Sequence, residues 1–126
     1  MTEKDIYEKI RESCKKDRMT FVVVTRHKGA IDYIKETLKL KEEDVITIDH
    51  IDEQMILSMK PHKHVVVGVI PIHIVYILKK FGITTIVLQL PKVSKEMRGK
   101  ELTPEQMREY GATLWQVLAI EMRTVG

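Results

Sequence analysis

The sequence predicts an α/β protein built on a mainly parallel sheet. Short apolar runs rich in valine and isoleucine alternate with amphipathic segments four times along the 126 residues, and this alternation is typical of a parallel sheet covered by helices. The runs are too short to be helices, and they lack the polar alternation of half-exposed strands. We therefore expect a Rossmann-like three-layer sandwich with a four-stranded sheet.

Each predicted element is bounded by a recognisable signal. The chain opens with an amphipathic helix over 3–16, an extra element that we assign to an N-terminal extension over 1–18, ahead of a single domain over 19–126. Because right-handed crossovers place the second and third strands on opposite sides of the first, we expect the strand order 2-1-3-4. The four strands are expected over 21–24, 45–48, 65–67 and 83–90.

Proline, glycine and capping residues mark the helices that follow the strands. Pro71 suits the first turn of a helix, and Gly82 suits a helix C-terminus, where a left-handed backbone is common. Thr103 and Gln106 form a capping-box pattern at the start of the last helix. The buried stripe of that helix is expected to comprise Met107, Tyr110, Leu114 and Leu118.

The composition argues against a membrane protein and against a duplex DNA-binding protein. A net charge of +3 from 21 basic and 18 acidic residues is too small for the strongly basic face that duplex DNA requires. The single cysteine excludes an intramolecular disulfide, and no apolar run is long enough to span a bilayer. Because the N-terminus is charged throughout, unlike a secretory signal, we expect a cytoplasmic protein.

Polar turns follow the predicted strands and converge on one edge of the sheet. They cover 25–30, 70–73 and 98–102. The strands of a parallel sheet all end on the same edge, and ligands bind there in such folds. The turns therefore predict a site for a multiply charged anion.

The turn over 25–30 has the chemistry of a phosphate site. Backbone N–H groups at the start of a helix are unpaired and favour an anion. Arg26 and Lys28 add positive charge, and Gly29 allows a ligand to approach closely. We assign Thr25 and Pro71, on the same edge, to the same ligand-binding group. The alternative is that Arg26 and Lys28 are merely solvated and Gly29 relieves a tight turn, because the pattern is not a Walker or dinucleotide fingerprint.

Histidines at two predicted helix starts are the candidate acid–base groups. His27 and His73 lie on the same edge, and imidazole can deliver or remove a proton near neutral pH. His50, which follows the second strand, is a weaker third candidate. His62 and His64 precede the third strand on the opposite edge, and we expect both to be surface histidines.

The charged stretch before the last helix supplies a candidate lid. Arg98 is placed to close over a ligand and to stabilise charge on a transferring phosphoryl group, while Glu101 could orient Arg98 or a histidine. The alternative is a solvated charged loop.

Other chemistries have weaker support in the sequence. There is no cysteine pair and no carboxylate cluster at ligand spacing, so we expect neither a metal nor another cofactor. Cys14 lies on an apolar helix face, where a buried, inert thiol is expected. Trp115 is a possible base-stacking platform, but helical spacing favours the core or a dimer interface.

Several segments of the chain resemble a small CRISPR-associated family of type III systems, the Csx-type family numbered sixteen. The resemblance lies in 21–30, 68–73 and 98–103, followed by Gly111 and Ala112. The resemblance implies a ring nuclease that binds cyclic tetra-adenylate and cleaves it to linear products with 2′,3′-cyclic phosphate ends, which switches off type III signalling. It further implies a metal-independent reaction and a homodimer with the site across its two-fold axis. In that reading His27, His73 and Arg98 are catalytic, and Glu101 joins the ligand-binding group.

The sequence departs from the family's pattern in places and leaves other functions open. The helix over 3–16 is an unusual extension, and Lys28 and Tyr33 replace the residues expected there. A first alternative is a module that sequesters the cyclic nucleotide without cutting it. A second is an unrelated nucleotide-binding or RNA-processing protein, and a third is a structural partner of another CRISPR protein that docks through its N-terminal helix.

Overall fold

The residues that the structure describes form a five-stranded sheet. The computed structural model describes residues 3–90, 92, 96 and 100–126. The order is β2-β1-β3-β4-β5, in which the first four strands are parallel and β5 runs antiparallel to β4. The predicted order 2-1-3-4 is confirmed, whereas the predicted count of four strands is wrong. The strands are β1 (Thr20–Val24), β2 (Val45–Ile48), β3 (His64–Gly68), β4 (Thr84–Gln89) and β5 (Thr113–Gln116).

Helices cover both faces of the sheet. Successive β1 side chains point to opposite faces, so Val22 and Val24 lie in one core cluster and Val23 lies in the other. The first cluster is completed by α1, α3 and α4, and the second by α2 and α5. The sheet is therefore the middle of three layers. The helices are α1 (Glu3–Ser13), α2 (Lys28–Leu38), α3 (Glu53–Leu57), α4 (Ile72–Lys80) and α5 (Pro104–Glu109).

The last helix is shorter than its sequence pattern predicts. The predicted capping box is present, since Thr103 and Gln106 bond reciprocally at the start of α5. The helix nevertheless stops at Glu109, and Gly111 follows it with φ 93°, a conformation that ends helices. Leu114 and Trp115 pair with β4 as part of β5, and Leu118 is 81% exposed.

The spacing of the predicted stripe is helical, but Gly111 interrupts the helix and the residues after it pair with the edge of β4. Trp115 accordingly lies on an edge strand, where it is 58% exposed and its indole N–H donates to Thr113 Oγ1 at 2.8 Å. The expectation of a helical position for Trp115 is therefore wrong.

The N-terminal helix packs into the core. Ile10 is fully buried and lies in the same cluster as Val22 and Val66. Cys14, which directly follows α1, is only partly buried, so the expectation of a buried thiol is wrong. The described residues include no helix with the length and the apolar character needed to cross a bilayer.

His64 is buried beneath α1, so the expectation of a surface histidine is wrong at this position. Its ring is fully buried, with Nε2 2.7 Å from Ser13 Oγ. Its Nδ1 accepts the Lys60 backbone N–H at 2.9 Å, which assigns the ring proton to Nε2. The sequence did not indicate the burial of His64, because Ser13, which contacts its ring, lies 51 positions away. His62 is exposed as expected.

Candidate functional site at the carboxyl edge of the sheet

A cavity of about 440 Å³ opens at the carboxyl edge of the sheet. It lies where β1 and β3, which are adjacent, send α2 and α4 to opposite faces. Such a divergence leaves a crevice in parallel sheets. Residues at the ends of β1, β2, β3 and β4 all line the cavity: Val24, Thr25, Arg26, His27, Asp49, His50, Ile51, Val69, Ile70, Pro71 and Leu90.

The polar lining residues all come from the loops after β1 and β2, although two apolar residues, Val24 and Ile51, lie on that side as well. The loops after β1 and β2 contribute Arg26, His27 and His50, with Asp49 offsetting part of the positive charge. The loops after β3 and β4 contribute an apolar group, in which Val69 is 42% and Leu90 is 52% exposed. Because β2 and β4 lie on opposite sides of the β1–β3 pair, the two groups face the cavity from opposite sides. This arrangement suits a ligand with one anionic part and one apolar part.

The side chain of Thr25 shapes the turn after β1. Thr25 is 4% exposed, and its N–H donates to Ile48 O at 3.0 Å. Its Oγ1 accepts the backbone N–H of His27 at 3.2 Å. The hydroxyl therefore fixes the backbone that presents Arg26 and His27 to the cavity.

Glu101 caps the start of α2. The N-cap residue, His27, makes no side-chain capping bond, and Glu101 Oε2 instead accepts the Gly29 N–H at 3.1 Å. Glu101 Oε1 lies 3.5 Å from His27 Nδ1. The Gly29 N–H is the main cause that lowers the pKa of Glu101, assisted by a hydrogen bond from His27 and by the charges of His27 and Lys28. The anion at this helix start is thus a carboxylate of the chain itself.

Gly29 permits a close approach, but of the chain rather than of a ligand. A Cβ at this position would lie 1.8 Å from the carbonyl oxygen of Leu102. Leu102 in turn packs against the second core cluster. The start of α2 and the residues before α5 are therefore in direct backbone contact.

Of the other residues that the sequence predicts for the site, some line the cavity and others do not. Pro71 lines the cavity as the N-cap residue of α4. His73 is exposed in the first turn of α4, and Lys28 is exposed at the start of α2. Neither of these two is among the residues that line the cavity. Arg98 lies outside the described residues.

Sequence reasoning gave too little weight to several lining residues. His50 ranked below His73, yet His50 lines the cavity together with His27. Asp49 and the apolar group also line the cavity, and apart from Pro71 none of these residues is among those that the sequence predicts for the site. A simple signal was available, because Asp49 and His50 follow the predicted strand over 45–48 and Leu90 ends the predicted strand over 83–90. Over the ranges that the structure describes, no cluster of histidine, cysteine, aspartate and glutamate could hold a metal ion.

The fold and the cavity define an α/β protein with a candidate ligand site at the carboxyl edge of a mainly parallel sheet. Residues 22–120 match the model of a family described as "Putative CRISPR-associated protein (Cas_VVA1548)". The match spans most of the chain, and the chain belongs to this CRISPR-associated family. It begins within β1, so α1 lies outside the matched region. No curated protein and no solved structure matches the chain.

Proposed function

We propose that the protein is a ring nuclease that cleaves cyclic tetra-adenylate to linear products with 2′,3′-cyclic phosphate ends and so ends type III signalling. The observation that carries the proposal is the pairing of two imidazoles and an arginine with an apolar group across one cavity. Membership of a CRISPR-associated family supports the biological setting.

The two groups of lining residues match the two parts of a nucleotide. Arg26 is exposed on the polar side, where its guanidinium can form charge-assisted hydrogen bonds to a phosphate. Val69, Pro71 and Leu90 offer an apolar surface to an adenine base. Since Glu101 already occupies the start of α2, we assign the phosphate to Arg26 rather than to the Gly29 N–H.

The proposed reaction is an internal transfer that needs no co-reactant. The ribose 2′-oxygen forms a bond to the adjacent phosphorus, and the bond from phosphorus to the 5′-oxygen breaks. His27 accepts the proton of the 2′-hydroxyl, and a second imidazole gives a proton to the leaving 5′-oxygen. We assign this second role to His50, because it lines the cavity and His73 does not. Proton exchange with water then returns both imidazoles to their starting protonation states.

We further propose that two copies share one ring. A cavity of about 440 Å³ lies in the lower part of the range for small-molecule sites. A ring of four nucleotides extends beyond such a cavity. An approximately symmetric ligand suits a two-fold pair of identical sites.

The experiment that tests the proposal is a product assay. Purified protein is incubated with cyclic tetra-adenylate, and the mixture is separated by chromatography. We expect linear products with 2′,3′-cyclic phosphate ends. Intact ring recovered after tight binding would identify a sequestering module instead. Binding of mononucleotides or short RNA without binding of the ring would identify an unrelated nucleotide-binding protein.

Alanine variants test the roles of the histidines. We expect His27→Ala and His50→Ala each to lower the single-turnover rate about 10²- to 10⁴-fold while the ring still binds. His73→Ala should have a smaller effect, because His73 does not line the cavity. His62→Ala, an exposed histidine at the opposite edge, is the matched control and should leave the rate unchanged. An unchanged rate for His27→Ala at saturating enzyme would contradict the assignment of the base.

A further inference from the structure

We propose that Glu101 is a positioning residue that holds the neutral His27 ring with its proton on Nδ1 and leaves Nε2 free to accept a proton. The consequence for catalysis rests on the proposed function, whereas the effect on the ring itself does not.

The distance between the two side chains shows that they are in contact, and the chemistry of the carboxylate determines which group donates the proton. Glu101 Oε1 lies 3.5 Å from His27 Nδ1, which is longer than an ordinary hydrogen bond but typical of a catalytic contact before a ligand binds. An ionised carboxylate can only accept. The contact is therefore favourable only when Nδ1 carries the proton, and a neutral ring then has its lone pair on Nε2.

Glu101 is held by its own carboxylate and by the two residues that follow it. Its Oε2 accepts the Gly29 N–H at 3.1 Å, and the next residue, Leu102, lies directly against Gly29. Thr103 then caps α5. Because Gly29 and Lys28 also favour the charged carboxyl, the pKa of Glu101 is lowered and the group remains ionised at neutral pH. A partner anchored in this way can orient a mobile ring.

Among the residues that the structure describes, Glu101 is the partner that can select one orientation of the His27 ring. Its backbone is held by Thr25, but its side chain is 65% exposed. An exposed neutral imidazole exchanges between its two tautomers. A carboxylate on Nδ1 removes this exchange, as the third group does in a nucleophile–base–carboxylate arrangement.

The first test is the tautomer of His27, read from ¹⁵N chemical shifts of the ligand-free protein at a pH where the ring is neutral. We expect the Nδ1–H form in the wild type and a shift toward the Nε2–H form in Glu101→Gln. The glutamine oxygen can still accept the Gly29 N–H, so the fold should be retained, and a thermal melt checks this. Glu105→Gln is the control, because Glu105 is exposed and makes no ion pair within the described part of the chain. Identical tautomers in wild type and Glu101→Gln would overturn the proposal.

The second test is kinetic. Glu101→Gln should lower the single-turnover rate about 10- to 100-fold without changing the affinity for cyclic tetra-adenylate. The control variant Glu105→Gln should cleave at the wild-type rate. In the double variant with His27→Ala, the Glu101→Gln change should cause no additional loss, because its effect passes through His27. Effects that multiply in the double variant would show that Glu101 acts separately and would overturn the positioning role.

The two proposals can fail independently. If the wild type does not cleave the ring, the proposed function fails, and the tautomer measurement alone decides the role of Glu101. If the wild type cleaves the ring and Glu101→Gln matches it in both rate and tautomer, only the role of Glu101 fails.

Discussion

At the residue scale, the shape of the cavity depends on a glycine at the end of β3. The N–H of Val69 donates to Val24 O at 2.9 Å, which ties the loop after β3 to the end of β1. Gly68 has φ 145°, and a Cβ there would lie 2.2 Å from the same oxygen. Gly111 also has a positive φ, at 93°, but no described atom lies within 4 Å of its Cβ position. The two glycines therefore differ mainly in crowding.

This difference predicts the relative stability of two variants. Both Gly68→Ala and Gly111→Ala place a side chain at positive φ, which costs about 1–2 kcal/mol. Gly68→Ala should lower the free energy of unfolding by about a further 1–3 kcal/mol, because its Cβ overlaps the backbone of Val24. Urea unfolding measures both values. Equal destabilisation of the two variants would contradict the close contact between the end of β1 and the loop that joins β3 to α4.

The sequence predicted the candidate residues better than it predicted their partners. Glu101 was expected to orient Arg98 or a histidine, and its carboxylate does contact His27. Gly29 was expected to admit a ligand, yet the structure places Leu102 against it. Gly29 and Glu101 are 72 positions apart, and residue type alone does not determine which pairs meet over such a separation.

At the element scale, α1 is joined to β3 by a buried polar contact. His64 Nε2 lies 2.7 Å from Ser13 Oγ, and burial is the main cause that lowers the pKa of His64 from its ordinary value of 6.5. The charges of Lys60 and Lys63 act in the same direction, while hydrogen bonds to the backbone oppose the shift. Folding therefore favours the neutral ring.

This contact predicts how stability depends on pH. Because the unfolded chain binds a proton at His64 more readily than the folded chain, the contribution of His64 is present above about pH 6.5 and is lost as pH falls through the lower folded pKa. The free energy of unfolding of the wild type, measured in urea, should thus decrease below about pH 6.5. His64→Gln should flatten this decrease relative to wild type, and His62→Gln should preserve it. A decrease that His64→Gln leaves intact would mean that another group titrates.

The end of the chain shows where element prediction from periodicity fails. The capping box correctly located the start of α5, because capping is a local interaction between residues three positions apart. The predicted continuation of the helix to Leu114 and Leu118 was wrong, because Leu114 pairs with β4 as part of β5. The pairing of β5 with β4 is tertiary, whereas Gly111 is a local signal for the end of the helix.

At the scale of the whole molecule, the proposed sharing of a ring by two copies has a direct measure. We expect a stoichiometry of one cyclic tetra-adenylate per two chains, determined by native mass spectrometry over a series of protein concentrations. The expectation follows because one cavity of about 440 Å³ is small for the whole ring. A linear adenylate of two nucleotides is the control ligand and should bind once per chain. One ring per chain would contradict sharing.

The sequence by itself determined the order of the parallel strands and the edge of the sheet at which the cavity opens. Both follow from local periodicity combined with the fixed hand of crossovers, since strands that alternate with helices must end on one edge. Only the tertiary structure decided the fifth strand, the burial of His64 under α1 and the contact of Glu101 with His27. These features depend on which distant residues meet after folding, and periodicity along the chain contains no information about such contacts.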